Sequence, residues 1–179
     1  MPTRPLLTPA RMLLPLALLL SLTMARAADI DVAQKQWLAG QHKAAIATLQ
    51  QALIKTPDEM KLRFALAVYR MEMGEQDEAL RLFEALTQDF PDLPDPFNNM
   101  AVIHAGRGEL DLARSELEQA LRLQPDHAQA QENLGDLMLR LAARAYQRAQ
   151  AAQPVPSEAL ALKLRHTQAL IDSLSPKPR

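Results

Sequence analysis

The sequence predicts an all-α fold: an α-solenoid of three helix–turn–helix repeats, then a long fourth helix and a C-terminal capping helix. Three observations carry this. Gly40, Gly74 and Gly108 are spaced by 34, as are Pro57, Pro91 and Pro125 and also Ala45, Ala79 and Ala113. A turn glycine, a small alanine and a terminal proline at a fixed period mark a stacked two-helix unit. Hydrophobic residues make up 48% of the chain but aromatics only 4%, with Ala and Leu dominant. Strands want β-branched and aromatic residues, so this composition favours helices packed through small side chains. Finally, Ala45, Ile46, Leu49, Ala52 and Leu53 fall at i, i+1, i+4, i+7 and i+8, one apolar stripe of an amphipathic helix.

Residues 1–27 read as an export signal. Arg4 and Arg11 form a positive segment, Met12 to Met24 is an apolar run broken by Pro15, and Ala25-Arg26-Ala27 fits a small-residue cleavage site. The expectation is cleavage after Ala27 and a periplasmic location. The alternative is an uncleaved anchor helix, but the run of 13 is short of the roughly 20 residues that span a bilayer. The chain has no cysteine. Neither a cysteine-linked lipid nor a disulfide can form, so no stable membrane insertion is expected after cleavage, and stability must come from packing. Net charge is −1; without the three arginines of the signal, 17 basic residues face 21 acidic ones, leaving −4. A nucleic-acid partner would need a basic surface.

The remainder, 28–179, is expected to be one domain, long enough to bury a core. Its repeats run about 28–59, 60–93 and 94–127. In the first, a helix from Asp29 ends at Gly40, and a second helix from Lys43 ends at Thr56-Pro57-Asp58. Proline cannot continue a helix and biases the residue before it away from helical angles. The second repeat has Met60 to Met73, a turn at Gly74, Asp77 to Gln88, and Pro91 as its stop. The third starts at Pro94 or Pro96, where proline suits a helix start. It turns at Gly106 to Gly108 and descends from Asp111 to Leu123. Between Gly135 and Ala142 there are too few residues for another turn, and no Gly or Pro to make one. One helix is therefore expected over 128–152. Pro154 and Pro156 break it, and Ser157 caps a last helix over 157–174. Solenoids need such an atypical end to cover the last open face.

These units resemble the tetratricopeptide repeat (TPR), whose pattern asks for a bulky residue, Leu-Gly, Tyr, then Ala-x3-Phe and Pro. The third unit offers Phe97, Met100-Ala101, His104, Ala113-x3-Leu117 and Pro125. The second offers Leu66-Ala67, Ala79-x3-Phe83 and Pro91, with Arg63 and Arg70 at the bulky positions. The first offers Val32-Ala33, Ala45-x3-Leu49 and Pro57, and Leu134-Gly135 stands in the fourth segment. Beside the resemblance, the alanines have a physical reading. Ala33, Ala67 and Ala101 are small where the helices of one unit approach; Ala45, Ala79 and Ala113 are small where the return helix meets the next unit. A larger residue there would cost roughly 1–3 kcal/mol. DPFNNMAVIHAGRGEL and AQENLGDLMLRLAARAYQRA are similar to segments of short exported bacterial TPR proteins. That resemblance implies a scaffold or adaptor role in the cell envelope and no firm activity.

No chemistry is legible. His42, His104, His127 and His166 lie far apart, and no pair has metal-ligand spacing. Asp89, Asp92 and Asp95 lack the EF-hand spacing and its glycine. His104 is expected to fill the interior slot of the repeat's Tyr. No catalytic, cofactor-binding or metal-binding residue is assigned. Function is expected on the concave wall of first helices. By helical spacing and resemblance, its residues are Trp37 with Ile30 and Gln34, then Phe64, Val68 and Met71. Asn98, Val102 and Ala105 follow, and Glu132, Asp136 and Leu139 complete it. Trp37 and Phe64 could instead pack inward. Of the Lys, Arg and Asn that grip a C-terminal carboxylate in some TPR domains, only Asn98 is present, which argues against that mode. An apolar end and an acidic end, Glu132 with Asp136, suit a partner with an apolar anchor followed by a basic residue. The leading expectation is a binding module for a peptide or helix of an envelope protein. The alternative is a structural subunit whose wall is filled by a second copy or by its own terminal helix; an enzyme is the least supported reading.

Overall fold

The computed structural model describes residues 29–155 and 157–174. The expected signal segment and the last five residues lie outside the described residues. All regular structure among the described residues is helical: α1 (29–38), α2 (His42–Lys55), α3 (Met60–Glu72), α4 (Gln76–Asp89), α5 (Pro94–Gly106), α6 (Leu110–Leu123), α7 (Ala128–Ala151) and α8 (Glu158–Leu174). No helix of the described residues is long and apolar enough to cross a membrane.

The turns explain the 34-residue period. Gly40, Gly74 and Gly108 have φ of 74°, 80° and 79°, left-handed angles that only glycine adopts without strain. At each, the chain closes the preceding helix in the same way. Around Gly74, the Gly74 N–H donates to the Met71 carbonyl and the Glu75 N–H to the Arg70 carbonyl. Gly40 with Gln41, and Gly108 with Glu109, repeat the pattern. This double closure satisfies the orphan carbonyls of a helix end. Gly106, by contrast, is the last residue of α5, so the turn rests on Gly108.

The described chain divides into two compact units, one ending at Glu75 and the other starting at Gln76. In the first unit, α2 packs on α3 through the small and aliphatic residues the periodicity selects. Ala33, Ala45, Leu49, Leu62 and Ala67 have no solvent exposure. Thr48 Oγ1 donates to Gln36 Oε1 at 2.8 Å, tying α2 to α1.

In the second unit, α5 packs on α4 and α6, α6 on α7, and α7 on α8. Its core joins Ala101, Ala113, Leu117, Ala120, Ala130 and Leu137. Three of the four alanines come from α5 and α6, which lets these helices approach closely, while Phe83 and Leu86 of α4 are fully buried. The absent turn is confirmed: α7 runs unbroken from Ala128 to Ala151 through Gly135. Its start is capped by a residue the sequence reading did not assign. His127 Nδ1 accepts from the Ala130 N–H at 3.1 Å, which leaves Nε2–H to donate to Asp95 Oδ1 at 3.1 Å. At α8, Ser157 Oγ accepts from the Leu160 N–H at 3.2 Å, the expected cap.

Polar ties about one repeat period apart fasten this unit. Asn133 Nδ2 donates to Asn98 Oδ1 at 2.8 Å, and Arg107 donates to Asp77 Oδ1 at 2.6 Å. Arg144 grips Asp111 with two bonds of 2.7 and 2.8 Å, a bidentate geometry that holds the Asp111 carboxyl below its ordinary range. A further tie lies inside the third repeat. His104 is buried, as expected, and its Nδ1–H donates to Glu116 Oε2 at 2.8 Å. Glu116 is itself buried, and burial pushes its carboxyl up, with the His104 hydrogen bond opposing.

Candidate binding site

In the first unit the predicted wall residues separate into two groups. Phe64, Val68 and Met71 of α3 are all half-buried. Their spacing at i, i+4 and i+7 puts them on one helix face. Trp37 is also half-buried, and it belongs to the packing of the unit. Its ring stacks on Tyr69 at 4.1 Å between centroids with 13° between planes, and on His42 at 4.2 Å and 29°. Burial of Tyr69, with Glu72 nearby, raises the pKa of its hydroxyl.

The second unit carries a cavity of about 360 Å³ between α5, α6 and α7. Its apolar lining is Ala101, Leu117 and Leu137, with Val102 beside them; its polar side chains are Asn133, Asp136 and Arg140 on α7 and Gln76 at the start of α4. The α7 residues recur at i, i+3 and i+7, so one stripe of that helix supplies them. Val102 is 42% exposed and Asp136 half-buried, so two predicted residues meet here. Asn98 does not belong to an open wall. It is buried, at 5% exposure, and its carboxamide oxygen is taken by Asn133; it positions Asn133 and offers no surface. Glu132 is exposed and stands outside the cavity lining.

Charges at this site are unequally answered. Arg140 Nη1 donates to the Ala105 carbonyl at 3.1 Å, in the last turn of α5, where carbonyls carry partial negative charge. Asp136 has no hydrogen bond or ion pair among the described residues. Sequence reasoning took this end as acidic and did not assign Arg140, Asn133, Glu116 or His127. Glu116 carried a signal: it lies with Ala113, Leu117 and Ala120 on the i, i+3, i+4, i+7 buried stripe of α6. The other three depend on which side of a helix meets its neighbour. Among the described residues no group of three or more His, Asp or Glu could hold a metal ion.

Tetratricopeptide repeat family models match residues 36–103 and 98–141, together spanning more than half of the chain. The chain belongs to the tetratricopeptide repeat family. Solved TPR structures share the fold. The first TPR of Spaghetti (RPAP3), bound to the HSP90 peptide SRMEEVD, matches with a TM-score of 0.59 at 16% identity, covering 65% of this chain and 92% of that one. The type III secretion chaperone SycD of Yersinia enterocolitica, in complex with a peptide of the translocator YopD, matches with a TM-score of 0.59 at 18% identity, covering 65% and 95%. YrrB, a TPR protein with an unusual peptide-binding site, matches with a TM-score of 0.54 at 29% identity, covering 58% of this chain and 54% of YrrB. No curated protein matches the sequence. In TPR terms, α3, α5 and the first part of α7 are first helices of their repeats, and they carry the half-buried and cavity-lining residues described above.

Proposed function

We propose that this TPR protein is an exported, non-enzymatic interaction module that holds a peptide or helix of a cell-envelope protein on the faces of its first helices. The observation that carries the reading is the α5–α7 cavity, with an apolar floor and a carboxylate that has no partner among the described residues. Solved relatives of the fold hold peptides, from HSP90 in one case and from YopD in another, which supports a polypeptide as the ligand. The non-enzymatic reading is supported by the repeat family, and by ionisable pairs that tie one helix to another: His104 with Glu116, His127 with Asp95, Arg144 with Asp111. Periplasmic location rests on the signal features of residues 1–27, and N-terminal sequencing of the protein from an envelope fraction should begin at Ala28. An intact Met1 on the mature form refutes export with cleavage.

Cross-linking in envelope extract, with a photoreactive residue placed at Val102, tests the binding reading. Capture of one protein, competed by a peptide from it, is the expected result; capture only from an exposed residue outside the cavity, such as Leu112 of α6, refutes it. The second reading, self-association, is favoured by one observation. Leu162, Leu170 and Leu174 of α8 are 44%, 53% and 45% exposed, large apolar side chains that the described residues leave uncovered. Light scattering decides between them, because self-association requires a dimer or larger.

A further inference from the structure

Granting that the second unit binds a polypeptide on this face, we infer that the α5–α7 cavity receives a basic side chain of the partner, with Asp136 as its counter-ion. At about 360 Å³ the cavity is near the small end of ligand sites, sized for one extended side chain. Its floor is aliphatic, from Ala101, Leu117 and Leu137. Lys and Arg bury aliphatic stems along such surfaces while the charged head seeks a polar partner. The head would meet the Asp136 carboxylate. Arg140 is turned to the Ala105 carbonyl at the negative end of α5. Asn133 gives its amide N–H to Asn98 and accepts from Gln129. Asp136 alone among the cavity's polar side chains on α7 has no partner among the described residues. Glu132, one turn earlier and also without an ion pair among the described residues, adds to the negative field without lining the cavity; charge of this kind steers association more than it holds the complex. An acidic side chain could reach the donors that Arg140 leaves free, but it would sit beside the Asp136 carboxylate, which repels it.

The test uses the mature chain, isotopically labelled, titrated with the N-acetyl amides of arginine, lysine and glutamate while backbone amide shifts are followed. The arginine and lysine amides should give saturable shifts confined to Val102, Ala105, Asp136 and their neighbours, and the glutamate amide none. Asp136→Asn should weaken binding of the cationic probes about tenfold, as expected for loss of a charge-assisted bond. Glu132→Gln should change it by less than about twofold. The inference is overturned if the cationic amides give no localised shift, if the glutamate amide binds better, or if Asp136→Asn binds like the parent. Peptides selected from a displayed library against the same chain separate this from the binding-module reading. Selected peptides that bind Asp136→Asn as well as the parent sink the inference and leave the module standing. Cationic amides that saturate the cavity, with no peptide selected, do the reverse.

Discussion

Leu137→Ala tests whether α7 is seated as described. Leu137 is 2% exposed and lies in the core with Ala101, Ala113, Leu117, Ala120 and Ala130. Truncating a buried leucine costs about 2–5 kcal/mol, and the value depends on how far the surroundings collapse. Two features of this site set the expected value. Most of the core partners are alanines, with no side chain to swing into the gap, which raises the cost. One side of Leu137 opens on the cavity of about 360 Å³, so fewer contacts are lost and the new space joins one already open, which lowers it. The middle of the range, about 3 kcal/mol, is expected, equivalent to a fall of roughly 10 °C in Tm for a chain of this size. Urea unfolding measures it, with an unchanged m-value showing that the same structure unfolds. Repeat proteins can lose cooperativity, so hydrogen exchange should place the lost protection in α5 to α7. Met138, the next residue, is 43% exposed, and Met138→Ala should cost less than about 1 kcal/mol. A cost below about 1 kcal/mol for Leu137→Ala, or equal costs for the two variants, would refute the packing of α7 given above.

Two glycines should respond oppositely to alanine. Gly135 lies inside α7 with nothing near an added Cβ, so Gly135→Ala should stabilise by about 0.5–1 kcal/mol. Gly108 is equally open but has φ +79°, so Gly108→Ala should destabilise by about 1–2 kcal/mol; thermal melts giving the same sign for both would refute the contrast. Glu116 predicts a pH effect. Its folded-state pKa is raised above the usual 4.5, so the folded protein holds that proton more tightly than the unfolded chain. The contribution is therefore fully present below the unfolded value and lost as pH rises through the raised folded value. Compared with Glu116→Gln, which keeps an acceptor for His104, the parent should be nearly as stable at about pH 4 and fall behind as pH rises. A gap in urea midpoints that stays constant with pH would contradict this.

What the sequence determined alone is local and periodic. Positive φ at Gly40, Gly74 and Gly108 requires glycine, and prolines stop helices, so a period of 34 in these residues carries the helix–turn–helix units with it. The unbroken α7 was legible for the same reason: no turn fits where no turn residue and no spare length exist. His104 was legible as an interior residue because its position in the repeat is a buried one. The tertiary structure decided what depends on side chains 30 to 35 residues apart in the chain meeting in space. Asn98 looked like a wall residue because helical spacing gives its face but not its depth; Asn133, one repeat later, covers its carboxamide. Trp37 was open to either environment until Tyr69 and His42 stacked on it. Glu132 and Asp136 are alike in sequence, one turn apart and both acidic. Only the packing of α7 on α5 and α6 turns one of them into the cavity and leaves the other in solvent. Helical periodicity fixes an angle around one axis, whereas a site is set by the distance between axes, and that distance comes from the alanines and leucines of the core.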